Sequence, residues 1–130
     1  MENQPFEITS DELLFFHHRP AVLPLYLELR KQLFPLPGTT LSVHKTQLSF
    51  SAPKGYCILS HPRSQSKDSS LMQVSLSSTE PIEHPLLLVN TPIRATRWIC
   101  HLLIRTPEDI TAIWPLILQS YHQFAGIAAK

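Results

Sequence analysis

The stretch that most constrains how this chain can fold runs from Arg94 to Trp114, RATRWICHLLIRTPEDITAIW. Arg97 to Arg105 reads R-W-I-C-H-L-L-I-R, rich in β-branched, aromatic and apolar residues with neither Gly nor Pro, and this predicts a strand. Thr106-Pro107-Glu108-Asp109 then opens a helix. Thr106 suits the N-cap, Pro107 the first helical position, and the two carboxylates oppose the positive end of the helix. A strand that turns directly into the last helix demands a sheet with that helix laid back upon it.

The rest of the chain supplies the sheet and its other helices. Thr9-x-x-Glu12 fits a capping box, predicting a brief helix from about Ser10 to His17. Leu13, Leu14, Phe15 and Phe16 are expected to pack it onto the core, and Arg19-Pro20 ends it. A second helix is predicted from about Ala21 to Phe34. Val22, Leu25, Tyr26, Leu29 and Leu33 form its core stripe, with Glu28, Arg30, Lys31 and Gln32 on the other side. Pro35-Leu36-Pro37-Gly38 stops it.

From Thr40 the period changes to two. Leu41, Val43 and Lys45 face one way, Ser42 and His44 the other. Strands follow at Leu48–Ser51, Tyr56–Ser60 and Leu71–Ser77, joined by connections too short for parallel crossovers. Ser78 to Ile93 carries prolines at 81, 85 and 92 around the apolar run Leu86–Val89 and reads as an extended connection, with a short edge strand or a helical turn within it as the alternative. In the last helix Ile110, Ile113, Trp114, Ile117, Leu118, Tyr121 and Phe124 give the buried face, and Pro115 is expected to kink it. The expected fold is α+β: a mainly antiparallel sheet of about five strands, with N-terminal helices and a C-terminal helix packed against it. It forms a single domain over residues 1–130, with residues 1–8 as a flexible arm and 63–70 (RSQSKDSS) as a mobile hairpin loop.

Composition decides which function classes to pursue. Charged residues make up only 16% of the chain and the formal net charge is +1, so no basic face for duplex nucleic acid is expected. No apolar run reaches the roughly 20 residues of a membrane span. The start of the chain has no signal-peptide pattern, and Cys57 and Cys100 fall on separate strands inside apolar runs. The simplest reading is a cytoplasmic protein with two buried, reduced thiols.

Lys45, Arg94, Arg97 and His101 are the candidate ligand-binding residues, with Trp98 nearby in sequence. If Lys45 and Arg97 project onto one sheet face, they form a clamp for a carboxylate or phosphate. By strand parity Arg97, Ile99 and His101 share a face, and Trp98 and Cys100 share the opposite, core-directed one. The plainer reading of these cations is that they keep strand edges from pairing with other chains. The adjacent His17 and His18 diverge on a helix. No H-x-x-x-H or C-x-x-C occurs, so no metal is expected. There is no nucleophile elbow, phosphate loop or dinucleotide fingerprint, and no cofactor is expected. The carboxylate pairs Asp11-Glu12 and Glu108-Asp109 both open helices, where capping accounts for them. The pattern leans away from an enzyme.

Several of these stretches together resemble an uncharacterised bacterial family, domain of unknown function 5655. The resemblance lies in Lys45-Thr46-Gln47-Leu48-Ser49-Phe50, Arg97-Trp98, Thr106-Pro107-Glu108-Asp109-Ile110 and Tyr121, and spans residues 10 to 124. It implies a small α+β fold and an unassigned function, with no catalytic residues to carry over. Where that family follows its Arg-aromatic pair with histidines, this chain has Ile99 and Cys100, and His101 comes later. A more distant likeness is to small sheet-and-helix domains, some regarded as iron chaperones. Those present an acidic face, whereas the carboxylates here are scattered. The expected function is a non-enzymatic binding or protein-interaction module with an unknown protein partner, and a homodimer through the sheet face or first helix is one form of it. The alternative is a domain binding an anionic small molecule or nucleotide.

Overall fold

The computed structural model describes residues 7–52, 54–62 and 71–124. Most of the expected arm and all of the 63–70 loop lie outside them. In order, the elements are α1 (Ser10–Phe15), a 3₁₀ turn at Pro20–Val22, α2 (Leu23–Leu33), β1 (Thr40–Val43), β2 (Leu48–Ser51), β3 (Gly55–Ser60), β4 (Met72–Ser78), β5 (Leu87–Arg94), β6 (Arg97–Ile104) and α3 (Pro107–Phe124). The six strands form one antiparallel sheet in the order β1-β2-β3-β4-β6-β5.

Register explains which side of the sheet is core. Leu48, Leu59, Val74 and Leu102 lie side by side across four strands, and Phe50, Cys57, Leu76 and Cys100 form the next such row. All of these are buried. All but Cys100 belong to one cluster with Val22, Leu25, Tyr26, Leu29 and Leu33 from the 3₁₀ turn and α2, and Ile110, Ile113, Ile117 and Tyr121 from α3. The alternate residues Ser49, Ile58, Ser75 and His101 make the corresponding row on the opposite face. Period-two alternation thus separates an apolar face under the helices from a serine-rich one.

The sheet has one strand more than the sequence suggests. β5 occupies much of the stretch that its prolines mark as a connection. Pro92 is tolerated because β5 is an edge strand, where one side of the backbone needs no ladder partner. Asn90 ties the preceding connection down: its Oδ1 accepts from Ile82 N (3.3 Å) and its Nδ2 donates to Ile82 O (3.0 Å).

A bulge in β3 sets the position of α3. Phe50 pairs with Cys57 and Ser51 with Gly55, leaving Tyr56 as the extra residue. Tyr56 is buried and packs edge-on to Tyr121 of α3, with ring centroids 5.1 Å apart. Just past the last paired residues of β3 and β4, the Ser120 hydroxyl accepts from Ser77 N–H (3.0 Å) and donates to Tyr56 C=O (2.6 Å). A helix side chain therefore completes a strand-to-strand link. Both tyrosines also hold the loop after α2: Tyr121 Oη donates to Pro37 O (2.6 Å), and Tyr56 Oη bonds the Thr39 hydroxyl (2.8 Å). Gly38 between them has φ 79°, a left-handed conformation that glycine adopts without strain. Pro115 lies on the exposed side of α3, which continues unbroken through it.

Candidate functional site

Helix α1 reverses the usual arrangement. Thr9 and Glu12 do form the capping box, with Glu12 N donating to Thr9 Oγ1 (3.2 Å) and Thr9 N donating to Glu12 Oε1 (2.8 Å). The same carboxylate is fully buried, whereas Leu13 and Leu14 are 46% and 67% exposed. Only Phe16 from the apolar run reaches the core completely. The expectation that this segment packs its leucines inward is therefore corrected, because the inward position belongs to Glu12.

What receives Glu12 is a polar cluster on α2. Arg30 Nε donates to Glu12 Oε2 at 2.6 Å and Arg30 Nη2 to Oε1 at 3.2 Å, and the buried Tyr26 hydroxyl donates to Oε2. Arg30 Nη2 also donates to the Glu7 carbonyl (2.8 Å), so one guanidinium grips both the start of α1 and the segment before it. Its Cζ lies 4.7 Å from the centre of the Phe34 ring. Burial alone would raise the Glu12 carboxyl, but hydrogen bonds from Arg30, Tyr26 and Thr9 and the Arg30 charge outweigh it and hold the group below its ordinary range. Tyr26 is pushed up by burial and by its carboxylate neighbour. Arg30 was expected on the polar side of α2. Its spacing from Tyr26 and Leu33 puts it inside the buried stripe, the one signal that could have found it.

Two members of this cluster, Glu12 and Arg30, line a hollow beside α1. A cavity of about 500 Å³ is lined by Glu7, Ile8, Thr9, Asp11, Glu12, Arg30, Phe34, Thr40, Leu41 and Val43. A second hollow of about 340 Å³, lined by Asp11, Leu14, Phe15, Val43, His44 and Lys45, shares Asp11 and Val43 with it. Adjoining at those two residues, they make a two-part groove between α1 and β1. Its walls are apolar at Ile8, Phe34, Leu41, Val43 and Leu14. Glu7 lines the first hollow, Lys45 the second, and Asp11 borders both.

The sequence-derived candidates are not brought together. β1 ends at Val43, and Lys45 sits exposed in the two-residue loop closed by the His44 N to Gln47 O bond (2.8 Å), instead of extending the strand. Arg97 opens β6, four strand positions away and at the other end of the sheet. At about 4.8 Å per strand the lateral separation alone is roughly 19 Å, so the two cations do not clamp one ligand. Arg94 and Arg97 are register partners flanking the β5–β6 turn. Arg97 Nη2 is 3.4 Å from Ser77 Oγ, and its Cζ lies over the Phe124 ring at 5.3 Å. His101 lies on the serine-rich face as expected. Its Nδ1 is 2.8 Å from Ser75 Oγ and 3.3 Å from Gln73 Nε2. An amide nitrogen can only donate, so Nδ1 is the acceptor and the ring proton sits on Nε2. Burial lowers the His101 pKa.

The thiols are placed by the same register. Cys57 pairs with Leu76 and Leu76 with Cys100, so one strand stands between them. Two strand spacings of about 4.8 Å exceed disulfide reach. Burial pushes both thiols up, with Ile82 partly offsetting this at Cys100. Among the described residues no group of His, Cys, Asp and Glu is arranged to hold a metal ion. No described helix is long and apolar enough to cross a membrane. Compared with protein-family models, with curated proteins and with solved structures, the chain matches none.

Proposed function

We propose that this chain is a non-enzymatic interaction module that takes a protein partner in the groove between α1 and β1. The observation that carries the reading is the groove itself. It is a pair of adjoining hollows with apolar and charged lining, beside a helix that turns Leu13 and Leu14 outward. The buried Glu12–Arg30 pair supports it, since it holds one wall of the groove in place from beneath. A cytoplasmic setting, with reduced and buried thiols, belongs to the same proposal. So does kinship with the domain of unknown function 5655 family.

The reading is tested by placing a photoreactive benzophenone side chain, in separate variants, at Leu14, Leu41, Ser49 and Ile58, and irradiating cells that make the protein. Adducts to a single partner at Leu14 and Leu41, and none at Ser49 and Ile58 on the opposite sheet face, are expected. Adducts only at the sheet-face positions, or equally at all four, would overturn it.

A further inference from the structure

We infer that the partner enters this groove as an extended peptide that adds a strand to the outer edge of β1, which pairs with no other described strand, an inference that rests on the interaction-module reading. The argument begins with hydrogen-bond parity. In an antiparallel ladder, opposed residues alternate between pairs that exchange backbone hydrogen bonds and pairs that do not. His44 N–H donates to Gln47 C=O at the hairpin end. Counting back along the register, Ser42 with Ser49 and Thr40 with Ser51 are bonded pairs, whereas Val43 with Leu48 and Leu41 with Phe50 are not. The N–H and C=O groups of Leu41 and Val43 therefore point away from β2. Among the described residues β1 is the terminal strand of the sheet, so these groups point off its outer edge; Leu41 lines the first hollow and Val43 both.

Such a row of backbone donors and acceptors recognises another backbone in extended form, and an apolar hollow beside it accepts alternate side chains. A helix or a compact small molecule does not match that row. The rim sets the charge of the occupant: a Lys or Arg of the peptide faces Glu7 in the first hollow and Asp11 where the two hollows adjoin, and an acidic residue or terminal carboxylate faces Lys45 in the second. A second copy fits less well. Its β1 carries its own α1, and two copies of that wall would compete for the same hollow.

Proline separates strand addition from other ways of using the groove. Val43→Pro removes an outward N–H that makes no bond to β2, and edge strands tolerate proline at such a position. Displayed libraries of random linear peptides are selected against the full chain, and the winners are measured against wild type, Val43→Pro and Leu41→Arg. Thermal melts check that both variants fold. Strand addition predicts peptides with alternating apolar residues and a basic residue. It also predicts binding at least about tenfold weaker to Val43→Pro, and a similar loss when the peptide amide facing Val43 C=O is N-methylated. Peptides blocked by Leu41→Arg but indifferent to Val43→Pro and to N-methylation would overturn strand addition while leaving the interaction module standing. Binding unaffected by Leu41→Arg would overturn both. Self-association abolished by Val43→Pro, with no peptide enrichment, would assign the edge to a second copy and overturn the peptide.

Discussion

Arg30 Nε meets Glu12 Oε2 at 2.6 Å with both side chains almost wholly out of solvent, and this contact is the centre of the polar cluster that fastens the N-terminal helix to α2. A buried ion pair is a weak source of net stability, because desolvation offsets much of the attraction, yet breaking it from one side is costly. Glu12→Ala should therefore destabilise the fold by about 3–5 kcal/mol in urea denaturation. Replacing the cluster together (Glu12→Leu, Arg30→Met, Tyr26→Phe) should restore most of that loss. A small effect of Glu12→Ala would mean that α1 is not anchored in this way.

Acid should act in two stages. His61 stacks on Phe15 with centroids 4.5 Å apart, and its Nε2 lies 2.9 Å from the Phe15 carbonyl oxygen. Burial, with a smaller contribution from Arg19, lowers its pKa despite that carbonyl, and burial lowers His101 as well. For both rings the unfolded chain takes up protons first. Their contribution is complete above the ordinary histidine pKa of about 6.5 and is lost as pH falls from there toward the folded values. Glu12 follows the carboxylate rule: its contribution is present above about pH 4.3 and is lost as pH falls through its depressed folded value. Urea midpoints measured across this range should fall first below about pH 6.5, and that stage should shrink in the His61→Gln, His101→Gln double variant.

Ser120→Ala offers a cleaner test of how the helix layer meets the sheet. It removes the hydroxyl that joins Ser77 N–H to Tyr56 C=O and creates almost no cavity. A loss of about 1–3 kcal/mol in urea denaturation is expected, the cost of leaving buried backbone groups without partners. Ser120→Cys, larger and a weaker hydrogen-bonder, should not rescue it.

The thiols make a prediction about access. Cys57 and Cys100 are both fully buried. An aromatic disulfide reagent should label neither at an appreciable rate in the native protein, and both at once on unfolding. Rapid native labelling of Cys100 would show that the connection carrying Ile82 opens.

Much of this fold is legible in the sequence because its signals are local. The Thr106-Pro107-Glu108-Asp109 start of α3 is one example: Asp109 Oδ2 accepts from Arg105 N (2.8 Å) and Thr106 N (3.2 Å), and Asp109 N donates to Thr106 Oγ1 (3.3 Å). The alternation in β2, β3, β4 and β6 is another. β5 is legible only as the alternative of a short edge strand within a connection, because prolines argue against a strand until its place at the sheet edge is known. Leu118 and Trp114 read as buried by periodicity but are only half covered, while Ser120, with no apolar signal, is fully enclosed. The site was least legible. Strand parity is informative within β6 but says nothing of strand order, and strand order is what separates Lys45 from Arg97. Arg30 lay within the apolar spacing of α2, but its partner is 18 positions earlier, on another helix.

The central claim, that the edge of β1 is an open docking strand, is tested most directly by amide hydrogen exchange read residue by residue before and after adding a bound partner. Ser42 N–H should be protected throughout, while Leu41 and Val43 should exchange rapidly in the free protein and become protected in the complex. Leu41 and Val43 already protected in the free chain, or unchanged when the partner binds, would contradict it.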